Sequence, residues 1–390
     1  MINRFSSLYA GHIDLGDMGR DATPANERRY SNEELAGVFA KTENMAKTMD
    51  ALGYDTLWLA EHHFQHEGYE CLPNLPLLGV HLCHLTERLK IGCGFNVAPM
   101  WHPLRLAEDF ATADILTKGR VIFGVGRGYH TREVETFGAP MLSQEDNREF
   151  FEEQVEVMMK ALKSESFSHH GRFYDIPPKV PYRGYELEEI TLVPRPVNPF
   201  ETWQPIVSAN PRGLDFMVRH GIKGVVGGGS ALMSEGPVTA YRDALARAGI
   251  EAELGEGLCI GLNFHIADSH EQATREATPF FEEHIKMFAP LGFFRGLSEE
   301  QHAAIAQRGG WDGAGIPSLA QSCSNRSWYC GPPEGFIEYI QELADAFPGL
   351  EMINVQSSMG TPEHVILEQL QWFGEAVMPA FQGDKAPAAA

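Results

Sequence analysis

The sequence predicts an α/β fold, a closed (β/α)8 barrel of the TIM type with two insertions, and three observations predict it. Short β-rich runs alternate with longer amphipathic runs along nearly the whole chain, as in repeated βα units. Several short runs, such as 54–60 and 121–125, are apolar on both faces, as in a parallel sheet covered by helices. No proline- or serine-rich linker divides the 390 residues, a length that such barrels reach as one domain. The domain is expected to span 1–382, with 383–390 a disordered tail that has nothing to bury.

The elements follow in order. A strand at 2–9 leads to a helix at 32–52, where Ser31 and Glu34 read as a capping box and Gly53 as the stop. A strand at 54–60 precedes a helix at 76–86. The third pair is a strand at 89–97 and a helix at 103–117 that begins on proline. The fourth is a strand at 121–125 and a strongly amphipathic helix at 144–163. Residues 167–195, rich in proline, tyrosine and glycine, read as a hairpin excursion. Then come a strand at 205–208 with a helix to 220, a strand at 224–227 with a helix at 237–248, and a strand at 258–266 with a helix at 269–288. The segment 290–325 is glycine-containing and weakly periodic. It is too long for an ordinary loop, and reads either as a lid over the barrel mouth or as a structural insertion. A helix at 334–347, a strand at 352–356 and a helix at 362–378 close the chain.

Charge and cysteine usage exclude several function classes. With 53 acidic against 31 basic side chains, the net charge is −22, which repels nucleic-acid phosphates and anionic lipid. No run reaches the length of a membrane span, and the N-terminal residues lack the apolar stretch of a signal peptide. The six cysteines form no Cys-x-x-Cys pair, so a zinc framework is not indicated and a reducing cytoplasm is the simplest compartment.

In such barrels the active site forms at the C-terminal ends of the strands. The second strand ends in Glu61-His62-His63-Phe64, where alternation turns only one histidine toward the barrel axis. The fourth ends in Gly126-Arg127-Gly128-Tyr129, where backbone and guanidinium approach an anion closely. The fifth leads into Ser208-Ala209-Asn210-Pro211, a helix start with free N–H groups and a positive end. Two strand ends thus offer anion-binding chemistry, as a phosphate-bearing cofactor requires. Each feature also has a plainer reading: a glycine turn, a hydrogen-bonded core histidine, a helix cap. Gly124-x-Gly126-x-Gly128 is not a dinucleotide fingerprint, because the third glycine falls at the wrong spacing. No metal site is expected, since His62 and His63 diverge and no Glu-x-x-His partner is near. Phe64, Trp101 and Tyr129 are candidates for an apolar substrate pocket.

Residues 54–64, then Leu89-Lys90-Ile91-Gly92, His102-Pro103-Leu104-Arg105, Ala107-Glu108-Asp109, Lys118-Gly119-Arg120 and Gly124 to Tyr129 together resemble the bacterial luciferase-like flavin monooxygenase family. The resemblance is dense over 51–138, with weaker matches at 205–221 and 331–334. It implies an FMN-using barrel in which reduced flavin and O2 give a C4a-hydroperoxide that oxygenates a small hydrophobic aldehyde, ketone or similar substrate. It implies further that a separate NAD(P)H:flavin reductase supplies the reduced FMN, and that the chain pairs as a dimer. By the same resemblance His62 is the catalytic histidine and Arg127 the phosphate arginine. Asn210, Arg212 and Gly213 then fall where the family binds the phosphate, next to Gly128, Ser208 and Ala209 of the anion-binding strand ends, and Gly94-Phe95 falls where the family often carries a non-prolyl cis peptide under the flavin ring. The chain departs from luciferase α subunits at Gly126, where they carry a reactive cysteine, and at Asn210-Pro211-Arg212, which replaces an acidic-serine pair.

Two other readings are an F420-dependent oxidoreductase, which transfers hydride without oxygen, and a non-catalytic flavin-binding accessory subunit. Deazaflavin binding distinguishes the first, and turnover that survives His62→Ala the second. A metal hydrolase on the same barrel is more distant, and metal analysis decides it.

Overall fold

The computed structural model describes residues 2–227, 235–292, 298–307, 309, 311 and 315–381. Eight parallel strands form the barrel: β1 (Arg4–Tyr9), β2 (Thr56–Leu59), β3 (Lys90–Cys93), β4 (Val121–Gly126), β5 (Thr202–Pro205), β6 (Ile222–Val226), β7 (Leu258–Ile266) and β8 (Met352–Gln356). β1 pairs with both β2 and β8, and β4 pairs with β5 through Thr202 opposite Phe123, so the ring closes. Helices α1 (Asn32–Leu52), α2 (Leu75–Leu85), α3 (Pro103–Thr117), α4 (Gln144–Lys163), α5 (Pro211–His220), α6 (Glu235–Arg247), α7 (His270–Phe288), α8 (Pro333–Ala346) and α9 (Glu363–Trp372) cover it. No helix among the described residues is long and apolar enough to cross a membrane.

Local chemistry sets the helix ends. Ser31 and Glu34 form the reciprocal capping box that starts α1, and Gly53 ends it in the left-handed region at φ 82°. Proline opens α3 and α5, where its missing N–H costs nothing. Inside the barrel, Trp58, Ile122, Trp203, Cys259 and Met352 make one buried layer. The Trp58 and Trp203 rings meet edge-on at 5.7 Å. Alternate residues such as Leu57 and Leu59 face outward into the larger core under the helices.

The barrel departs from the sequence expectation at β5, which occupies Thr202–Pro205 rather than 205–208. Trp203 is buried and fills the interior, whereas Val207, whose apolar character suggested a strand, is 72% exposed. The expected strand at 89–97 is broken. β3 stops at Cys93, the Gly94–Phe95 peptide is cis, and Asn96–Val97 pairs separately with β4. Residues 167–195 are the expected excursion, with two small antiparallel hairpins.

Within 290–325 the described residues include two short helices, Glu299–Ile305 and Leu319–Ser324, each with a capping box. Ile305 and Leu319 join Phe281, Ile285 and Trp328 in a separate buried cluster on α7. A strand that sequence reading missed, Tyr329–Gly331, extends the sheet beside the end of β7. The expected tail at 383–390 lies outside the described residues.

Candidate active site

The loops after β2 and β4 meet over the C-terminal end of the barrel. Beyond β2 the side chains alternate, and the two histidines separate as the pleat requires. Glu61 and His63 bond to each other at 3.0 Å, while His62 turns to a different set of groups. Glu61 is 1% exposed and ties this loop to the next strand end, accepting the Val97 N–H at 2.7 Å and the Trp101 indole N–H at 2.8 Å. Burial pushes its carboxyl above the usual range, against the pull of His63 and the two N–H donors.

β4 runs into Arg127, Gly128, Tyr129 and His130, then into a single helical turn, Thr131–Val134, that carries Glu133. The spaced glycines here have a steric cause. A Cβ on Gly124 would sit 1.9 Å from the Cys93 carbonyl and 2.9 Å from the Phe95 ring, and one on Gly126 would meet Phe95 at 3.3 Å. They clear space for Phe95 to lie across the strand. Gly128 is at φ 77°, and a side chain there would strike Val134 and Val97.

The result is a buried cluster around His62. Its Nδ1 faces Glu133 at 3.2 Å, and its Nε2 lies 3.3 Å from Glu70 and 3.0 Å from the Tyr129 hydroxyl. Tyr129 donates to Glu70 at 2.7 Å, His130 Nε2 meets the second Glu70 oxygen at 2.8 Å, and Gln65 donates to Glu133 at 2.8 Å. Burial opposes the charge on His62, but Glu70 and Glu133 outweigh it and raise the imidazole above its ordinary value. Glu133 is buried too, yet its bond to His62 holds it below the usual carboxylate range. The donor atoms of His62, Glu70, His130 and Glu133 lie within 4.8 Å of one another, a spacing compatible with a metal ion. Hydrogen bonds within the cluster already account for each of them.

A second feature lies at Arg127. One of its terminal nitrogens is buried without a protein acceptor, as is Nε of Arg148 on α4. Burial and the neighbouring Arg148 charge lower the Arg127 pKa, with Glu152 and Glu145 opposing. Buried guanidinium N–H groups without an acceptor are costly, and two cations with spare donors fit a bound anion such as a phosphate group.

The loop after β5 presents Ser208, Ala209 and Asn210 on the surface. Asn210 caps α5 by accepting the Arg212 N–H at 3.0 Å, and α5 has no acidic residue in its first turn. A Cβ on Gly213 would meet nothing within 4 Å, so this helix start is open. The Arg212 guanidinium is engaged by Glu145 at 2.6 Å and Glu152 at 2.8 Å on α4, which docks α5 against α4.

Of the three candidate pocket aromatics, Tyr129 touches His62. Trp101 is turned to Glu61, and Phe64 is 49% exposed and stacked on Phe137. Sequence reading missed Arg148, Glu70, His130 and Glu133. His130 and Glu133 stand one and four residues beyond Tyr129, inside the densest motif block. Glu70 and Arg148 reach the site only through the folding of a loop and a helix.

The chain matches the model of the luciferase-like monooxygenase family over residues 22–348. It is 32% identical over 125 residues to an alkanal monooxygenase alpha chain from a Kryptophanaron alfredi symbiont, covering 32% of this chain and 34% of the relative. It is 27% identical over 199 residues to the oxygenase component of a flavin-dependent trigonelline monooxygenase from Acinetobacter baylyi, covering 50% of each. The chain thus spans half or less of the length of these curated relatives.

Among solved structures, the FMN complex of the oxygenating constituent of 3,6-diketocamphane monooxygenase from Pseudomonas putida superposes with TM-score 0.72 at 18% identity, covering 97% of this chain and 99% of the other. An F420-dependent secondary alcohol dehydrogenase superposes with TM-score 0.63 at 14% identity, covering 97% and 99%. Likeness at these identities is a likeness of fold.

Proposed function

Because the chain belongs to the luciferase-like monooxygenase family, we propose that it is the oxygenase component of a two-component FMN-dependent monooxygenase acting on a small hydrophobic aldehyde, ketone or similar molecule. The observation that carries the reading is the pair of guanidinium groups, Arg127 and Arg148, each with a buried nitrogen that lacks a protein acceptor. A dianionic phosphate would satisfy both and relieve their mutual repulsion. When bound, reduced FMN supplies the electrons that activate O2, and a separate NAD(P)H:flavin reductase provides it. That division of labour is supported by the A. baylyi relative, which is named as an oxygenase component.

The chain's own residues orient and protonate. Arg127, Arg148, Gly128 and the open start of α5, from Ser208 to Gly213, hold the phosphate end. Gly94 and Phe95, seated over Gly124 and Gly126, form the platform for the ring. His62 holds a proton at Nε2, and Tyr129 bridges that nitrogen to Glu70. The chain is proposed to work as a homodimer; Leu77 on α2 and Leu116 on α3 are 72% and 54% exposed, and sedimentation tests the pairing.

The test is an anaerobic titration with reduced FMN followed by rapid mixing with oxygen. Saturable binding and a transient absorbing species distinct from reduced and oxidised FMN are expected. Tight F420 binding with no such transient would replace the proposal with hydride transfer.

A further inference from the structure

We propose that Glu70 and Glu133 are positioning residues that hold His62 as a two-sided hydrogen-bond donor, with Tyr129 as a hydroxyl rotor between His62 and Glu70. The inference rests on His62 being the proton-handling group of the proposed monooxygenase.

Counting donors and acceptors carries it. Glu133 faces His62 Nδ1 at 3.2 and 3.3 Å, so Nδ1 donates. The Tyr129 hydroxyl has one proton. Its shorter bond, 2.7 Å, runs to Glu70, which as a carboxylate only accepts. The Tyr129 oxygen is then an acceptor toward His62 Nε2 at 3.0 Å, and Nε2 must donate as well. Both nitrogens carry protons, and the chain of bonds runs Glu133 ← His62 → Tyr129 → Glu70 ← His130. If His62 gives up the Nε2 proton, one hydroxyl rotation lets Tyr129 donate back to Nε2. That turn leaves the Tyr129 oxygen 2.7 Å from a Glu70 oxygen with no proton between them, so the Glu70 carboxylate draws back as His62 becomes neutral.

Glu70 is fixed for this role, because its second oxygen is taken by His130 at 2.8 Å. Gln65 fixes Glu133 in the same way at 2.8 Å. The titratable groups facing His62 are Glu70, Glu133, His130 and Tyr129, and Glu61, turned the other way, acts on it only through space. Arg132 lies within electrostatic reach of both Glu70 and Glu133 and is paired with Glu67 at 2.8 Å. The carboxylates on both sides therefore favour the charged imidazole, against its burial.

The experiment follows the ring nitrogens of His62 by NMR across pH in 15N-histidine protein, assigned by loss of the signal in His62→Gln. Wild type, Glu70→Gln, Glu133→Gln and the volume-conserving Tyr129→Phe are compared. In the wild type, His62 is expected to stay doubly protonated above the ordinary imidazole range. Each carboxylate variant is expected to lower its titration by about 1–3 units. Tyr129→Phe is expected to keep the charge but shift Nε2 alone, and it keeps the question open to measurement should a carboxylate variant fail to fold.

The lifetime of the oxygen-dependent transient gives a second readout, and its alkaline limb should move down with the His62 titration. Unchanged His62 titration in both carboxylate variants would overturn the inference and leave the monooxygenase reading standing. Absence of the transient in wild type would overturn that reading without touching the NMR result. One equivalent of tightly bound zinc in the purified protein, lost in His130→Ala, would overturn the inference by making the four groups a metal centre.

Discussion

Replacing Arg148 by methionine tests the anion site where its energetics are most exposed. In the wild type, Nε of Arg148 and one terminal nitrogen of Arg127 are buried without an acceptor. A phosphate oxygen at either would form a charge-assisted hydrogen bond worth about 1.5–3 kcal/mol. Methionine keeps most of the apolar stem but removes the donors, so FMN affinity should fall by about 10- to 150-fold. Riboflavin, which lacks the phosphate, should bind wild type and variant alike. Removing one of two neighbouring cations also relieves the repulsion that, after burial, lowers the Arg127 pKa, so the ligand-free variant should be at least as stable as wild type. Fluorescence titrations with FMN and riboflavin, and urea unfolding without ligand, measure all three quantities. Equal weakening of both flavins would place Arg148 away from the phosphate and refute the reasoning.

Other substitutions and pH probe the rest of the site. Gly124→Ala puts a methyl group 1.9 Å from the Cys93 carbonyl, so urea unfolding should show a loss of about 3 kcal/mol or more. Gly126→Ala, whose Cβ meets only the Phe95 Cβ at 3.3 Å and Cγ at 3.9 Å, should cost less and show chiefly as weaker flavin binding. Because the His62 pKa is raised by folding, its stabilisation is full below the unfolded imidazole value of about 6.5 and is lost as pH rises through the folded value. Glu133 is lowered by folding, so its stabilisation is present above about 4.3 and is lost as pH falls through its folded value. Urea midpoints from pH 2 to 9 should therefore decline at both ends, and Glu133→Gln should flatten both limbs. Trp101→Phe removes an indole donor from buried Glu61 and should cost about 1–3 kcal/mol, read by the same unfolding measurement.

What the sequence made legible follows from how locally each feature is encoded. The barrel was readable because period-2 and period-3.6 patterns are local, and because caps such as Ser31, Glu34 and Gly53 act within four residues. β5 was misplaced because its local signal pointed the wrong way. Ile206 and Val207 look like a strand, but the barrel interior needed Trp203, and that need arises from Trp58 on another strand. His62 and Arg127 were legible because each sits at a strand end inside a dense motif block. Their partners were not: Glu70 lies in an aperiodic loop and Arg148 on an amphipathic helix, where a charged residue reads as surface. The same division explains Gly124, Gly126 and Gly128. Their spacing is not that of a dinucleotide fingerprint, and the structure gives it a steric cause: the first two clear space for Phe95 and the third admits a turn against Val134. The phosphate reading then rests chiefly on side chains, and it holds only if Arg127 and Arg148 set most of the affinity for FMN over riboflavin.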